Sequence, residues 1–188
     1  MASSESGMYM IRATAAGIGF SLIGFIAVLF QAPNSRELVP DALFYGVLIL
    51  HTFFSVRFFS RVIAQDSWQI ATDLALVAVY LALALSLGDG LRFLFLALCL
   101  FAVAISKYMP SLRDSYLEPV MRRKIKYELG GVVLSGCSIT IALLIDQTIA
   151  VWFFTIVYAA VTFDMLFNRG VYSLKYLPEI QLANTPER

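Results

Sequence analysis

Leu74-Ala75-Leu76-Val77-Ala78-Val79 lies inside a predominantly apolar stretch of about 69–87. It does not alternate between polar and apolar positions, as a strand of a membrane barrel would. About 20 such residues are what a helix needs to cross the hydrocarbon of a bilayer. A lone segment in lipid must also satisfy its backbone groups internally, and a helix does so. The stretch therefore reads as a transmembrane helix.

Five more stretches of similar length flank it, at about 13–32, 42–60, 91–109, 128–146 and 149–167. Sixty per cent of the chain is apolar and 14% charged, against about 45–50% and about 25% in soluble domains. A chain of 188 residues cannot enclose that much apolar surface in water. The expected fold is an all-α integral membrane bundle of six transmembrane helices, with a polar N-terminus at 1–12 and a C-terminal tail at 168–188. A cleaved leader at the N-terminus is disfavoured, because 13–30 exceeds the usual h-region and no A-x-A pattern follows.

Between the stretches, Pro33-Asn34-Ser35 and Pro40-Asp41 close the first loop, while Gly88-Asp89-Gly90 and Asp146-Gln147-Thr148 make tight turns. Connections this short make their flanking helices antiparallel neighbours. The longest connector, 108–126, is interrupted by Pro110 and Pro119 and ends in a basic run.

Charge fixes the expected orientation. With alternate loops on one side, that side holds Arg12, Arg57, Arg61, Lys107, Arg113, Arg122, Arg123, Lys124, Lys126, Arg169, Lys175 and Arg188, twelve of the fourteen basic residues. Only Arg36 and Arg92 fall opposite. The positive-inside bias then puts both termini in the cytoplasm, with the plasma (inner) membrane as the expected location. Arg122, Arg123, Lys124 and Lys126 are candidate lipid-headgroup contacts, at about 1 kcal/mol per basic residue; the same run could serve only as a topology anchor.

Ionisable residues within spans are the first candidates for function. His51 falls halfway along the second span, and Arg57 about 9 Å further inward at 1.5 Å per residue. Asp73 and Asp164 approach the inner ends of the third and sixth spans, with Glu128 and Lys107 at the boundary. The expectation is an inner-face layer of opposite charges that forms an ion or proton site, with His51 above it as a titratable relay. The alternative is that Arg57 and Lys107 snorkel to the headgroups while the acids pair locally.

Small residues recur at helical spacing in the first span (Ala13, Ala16, Gly17, Ser21, Gly24) and the fifth (Gly131, Ser135, Ser138). These are read as faces for close helix packing, or as contacts with a partner subunit. Cys99 and Cys137 are expected as buried small hydrophobes, not as a disulfide.

Val56-Arg57-Phe58-Phe59 and Ile70-Ala71-Thr72-Asp73-Leu74 resemble the second and third helices of voltage-sensor domains, over about a third of the chain. The fourth span carries only Arg92 and Lys107, without a sensor's spaced arginines. Asp146-Gln147-Thr148 leaves no room for a pore loop. Six spans and a small-residue first helix are also similar to substrate-binding components of vitamin uptake systems, a likeness of fold level only.

No H-E-x-x-H, G-x-S-x-G or P-loop pattern occurs, and one histidine cannot supply bis-histidine haem ligation. No cofactor or metal is expected, and nothing points to an enzyme, although scattered carboxylates leave one open. A net charge of +1 carries no nucleic-acid footprint. The expected function is a transporter or channel subunit in the lipid bilayer, alone as a homo-oligomer or with a partner membrane subunit. The alternative is a non-catalytic accessory or substrate-binding subunit of a larger complex.

Overall fold

The computed structural model of the chain describes residues 2–30, 36–63, 66–113, 117–168 and Tyr172, the side chains of 2–9 and Arg12 excepted. The Pro33-Asn34-Ser35 loop, Arg169 and the tail from 173 lie outside the described residues. Six α-helices follow in order: α1 (Ala2–Phe30), α2 (Leu38–Val62), α3 (Ser67–Ala84), α4 (Gly90–Tyr108), α5 (Glu118–Leu144) and α6 (Gln147–Phe163). A 3-10 turn (Pro110–Arg113) precedes α5 and a π-turn (Asp164–Asn168) ends α6. There is no strand among the described residues. Each of the six helices is long and apolar enough to cross a membrane.

Aspartate side chains start three of the helices. Asp66 accepts from Gln69 N at 2.8 Å, Asp89 from Arg92 N at 3.2 Å and Asp146 from Ile149 N at 2.9 Å, which satisfies donors that a first turn leaves orphaned. Gly88 turns the chain between α3 and α4 with φ 86°, a backbone region that favours glycine. Its N–H donates to Asp41 Oδ2 at 2.8 Å, tying this turn to the start of α2.

Two prolines differ from expectation. Pro40 stands in the first turn of α2 and Pro119 at the start of α5, so both open a helix where they were expected in a loop or an interruption. In a first turn the missing N–H costs nothing. As a result α5 begins at Glu118, ten residues before the expected 128.

The helices form a closed ring by their contacts, α1–α2–α6–α5–α4–α3 and back to α1, with α4 also touching α6 and α2. One end of the ring holds the short turns at 85–89 and 145–146; the other, the connector end, holds Ile63, Asp66, residues 109–113 and Leu117. At the turn end the core is aromatic, with Phe44, Phe93 and Phe154 fully buried. At the connector end a second cluster gathers Phe58, Phe59, Tyr108, Met121, Met165 and Tyr172. Cys99 and Cys137 are exposed free thiols on the outer surface, a correction to their expected burial.

Candidate functional site

Between the two apolar clusters lies a polar one. The inward stripe of α5 runs Met121, Lys124, Glu128, Gly131, Ser135, Ser138, alternating steps of three and four, the spacing that keeps one helix face inward. Lys124 is 1% exposed and Glu128 4%; Lys124 Nζ reaches Glu128 Oε1 at 2.5 Å and His51 Nε2 at 2.7 Å. Lys124 therefore differs from the expectation of a lipid-headgroup contact. It points inward, because α5 extends past the apolar stretch and brings its first two turns into the bundle. Arg122, Arg123 and Lys126 are exposed, and Arg122 pairs with Glu118 one turn earlier.

His51 is held on both ring nitrogens: Nδ1 lies 2.9 Å from Tyr158 Oη, and Nε2 lies 2.8 Å from Tyr172 Oη. An ammonium can only donate, so Nε2 is an acceptor for Lys124, and the proton of a neutral ring sits on Nδ1, facing Tyr158. Tyr172 lies beyond the six apolar helices; burial, reinforced by the charge of Glu128, pushes its hydroxyl well above the ordinary tyrosine value, so it stays protonated. The rings of Tyr108 and Tyr172 also face the ammonium, with centroids at 5.8 and 5.5 Å. A buried ion pair is tolerable only when further partners stabilise it, and here His51 Nε2 and the two tyrosine rings add to Glu128 around the ammonium.

This cluster forms one wall of a cavity of about 460 Å³ between α1, α2, α3 and α4. Its α1 wall is small and apolar (Ala15, Ala16, Gly19), and a Cβ added at Gly19 would meet nothing within 4 Å. Toward the connector end stand Ser60, Gln69 and the Lys107–Asp73 pair. Thr52 bonds Tyr80, and Ser55 lies 3.3 Å from Tyr108 Oη, so hydroxyls line the space between the two ion pairs. The innermost lining residues are Ile23, Leu48 and Tyr80; beyond them comes the aromatic core of the turn end.

Of the residues expected in one charged layer, His51, Asp73, Lys107 and Glu128 come together around this cavity. Arg57 and Asp164 do not line it. Arg57 is half-buried, and its Nε has no hydrogen-bond partner among the described residues. Asp164 sits in the π-turn and accepts from Asn168 at 3.1 Å. His51 is level with Lys124 and Glu128, not above them, because the cluster reaches deeper than the apolar boundaries imply. Lys124 as a cluster member, Tyr158 and Tyr172 were missed; the three-four spacing of the α5 stripe is the sequence signal that includes Lys124.

The expected packing faces divide in the same way. Gly24 lets the Tyr45 ring lie against α1, since an added Cβ would fall 2.5 Å from Tyr45 Cε1, and Gly131 does the same for Phe101 on α5. Ala16 instead lines the cavity, and Ser21 is exposed, bonded back to Gly17 O at 2.7 Å. No known protein family, no characterised protein and no solved structure matches the chain.

Proposed function

We propose that the chain is a multi-pass integral membrane protein with both termini on the cytoplasmic side, acting as a small transporter or channel subunit. Its solute would occupy the 460 Å³ cavity, against the wall of His51, Lys124 and Glu128. The reading is carried by one observation: a buried ion pair and the chain's single histidine meet at a cavity in the middle of six apolar helices. Ionisable groups at such depth are costly and mark solute or proton pathways. Two ion pairs of both signs, Lys124–Glu128 and Lys107–Asp73, suit a small dipolar solute over a single ion.

Proteoliposomes carrying the purified chain and an internal pH-sensitive dye test the pathway. Dissipation of an imposed proton gradient is expected in the wild type and is lost in Glu128→Gln and His51→Gln. Equal dissipation by wild type and both variants removes the cluster from any pathway.

A second reading, a solute-binding subunit without translocation of its own, is favoured by the position of the cavity. Every lining residue belongs to the middle or the connector end, and the Phe44–Phe93–Phe154 packing fills the turn end. Binding of a dipolar solute by the purified chain, with no flux in the same proteoliposomes, selects this reading.

A further inference from the structure

A second, smaller cavity of about 150 Å³ lies between α5 and α6. It shares His51, Phe101, Glu128 and Tyr158 with the large one, so these four side chains form a partition with open space on either side. The two spaces differ in surroundings. The large cavity is bounded by α1 and α3, the small one by Gly130, Gly131 and Val161 with the exposed Lys126 at its rim. Gly131 explains why the partition stands where it does. Without a Cβ it lets Phe101 press against the backbone of α5, which leaves Phe101 as the apolar part of the wall and His51, Glu128 and Tyr158 as the polar part.

We infer that the α5–α6 cavity is a water-filled route by which protons reach the His51–Glu128–Tyr158 partition independently of the solute cavity. The volume is about ten times the roughly 10–15 Å³ that admits one water. Its inner wall supplies the polar partners that hold ordered water, namely the Glu128 carboxylate, the Tyr158 hydroxyl and Thr162. The exchanged proton is the one on His51 Nδ1: it passes to Tyr158 Oη at 2.9 Å while Tyr158 releases its own hydroxyl proton to water and the Lys124 ammonium hands one to Nε2 at 2.7 Å. The ring stays neutral as its other tautomer, Lys124 is left as the amine, and the reverse steps restore all three groups. Groups facing this exchange are Lys124 and Glu128 on α5, Tyr108 on α4, Tyr80 on α3 and Tyr172 beyond α6. The inference deepens the transport reading into a proton-coupled one and rests on it only for the coupling; the route itself is a property of the resting protein.

The chain has one histidine, so protein labelled with 15N in histidine side chains reports on His51 alone. Exchange of its Nδ1 proton with water is measured by saturation transfer in detergent micelles. Gly130→Leu and Val161→Trp narrow the small cavity; an added Cβ at Gly130 meets nothing within 4 Å, so the first carbon of the new side chain enters open space. Each is expected to slow exchange about tenfold, as when an open path is replaced by local opening. Gly19→Leu, which fills part of the large cavity, is expected to leave the rate within about twofold. Unchanged exchange in both α5–α6 variants, or equal slowing by Gly19→Leu, overturns the route. Because no flux enters the measurement, it can fail while the proteoliposome assay succeeds, and the reverse.

Discussion

Lys124 is a fully buried charge whose partners can be removed one at a time. The residue is 1% exposed, and its ammonium is held by Glu128, His51 and two tyrosine rings. Removing one member of a buried pair strands the other, at about 3–5 kcal/mol. Lys124→Met is expected to lose that much in unfolding experiments, whereas Lys124→Met with Glu128→Met recovers most of it, since no charge is then left buried. Equal stability of the single and double variants would contradict the pair. Arg122 is the internal control: its partner is also one turn away, but the two side chains are 68% and 37% exposed. Arg122→Ala is expected to change stability by less than about 1 kcal/mol. At His51 the geometry commits to a tautomer, with the proton on Nδ1 and Nε2 accepting. The 15N shifts of the labelled ring are expected to show a protonated Nδ1, and a protonated Nε2 would require Lys124 to stand as the neutral amine or to point elsewhere.

At the scale of elements, α5 decides the site. Its apolar run starts near Glu128, yet Pro119 opens the helix almost three turns earlier and the three-four stripe carries Met121 and Lys124 inward. Two adjacent glycines on this helix have opposite tolerances. At Gly131 an added Cβ falls 2.5 Å from Phe101, while at Gly130 it meets nothing within 4 Å. Gly131→Ala must displace the Phe101 ring and is expected to cost about 1–3 kcal/mol. Gly130→Ala is expected to be neutral or to stabilise by up to about 1 kcal/mol through helix propensity. Melting of the two variants side by side checks the packing of α4 on α5 directly, and equal effects would argue against it.

The whole molecule turns much of its apolar surface outward: in an apolar 18-residue stretch of each of the six spans, no more than 39% of the residues are buried inside, and Phe30 and Leu144 are 87% and 79% exposed. A surface of this kind is matched by lipid and not by water. Extraction from cell membranes is expected to require detergent, and a chain that stays monomeric and dispersed in plain buffer would overturn the membrane reading. In a variant lacking the two native cysteines, Arg92→Cys is expected to react with a membrane-impermeant thiol reagent from outside the cell, and Arg123→Cys only after permeabilisation. The opposite pattern would invert the proposed orientation.

The sequence by itself determined the class of the fold. Six long apolar runs, separated by aspartate, glycine and proline, dictate six helices through backbone satisfaction and local capping, and these depend on residues close together in the chain. It also pointed to His51, Asp73, Lys107 and Glu128, because charge inside an apolar run is visible without any knowledge of packing. Only the tertiary structure decided which charges meet. Arg57 and Asp164 are equally conspicuous in the sequence yet stay away from the cavity, while Lys124, hidden in a basic run, belongs to its centre. Tyr158 and Tyr172 look like ordinary aromatics until α6 and Tyr172 are folded against α2. Partners of His51 stand 73, 107 and 121 residues away, and contacts across that separation depend on helix rotation and offset, which packing sets and local composition does not.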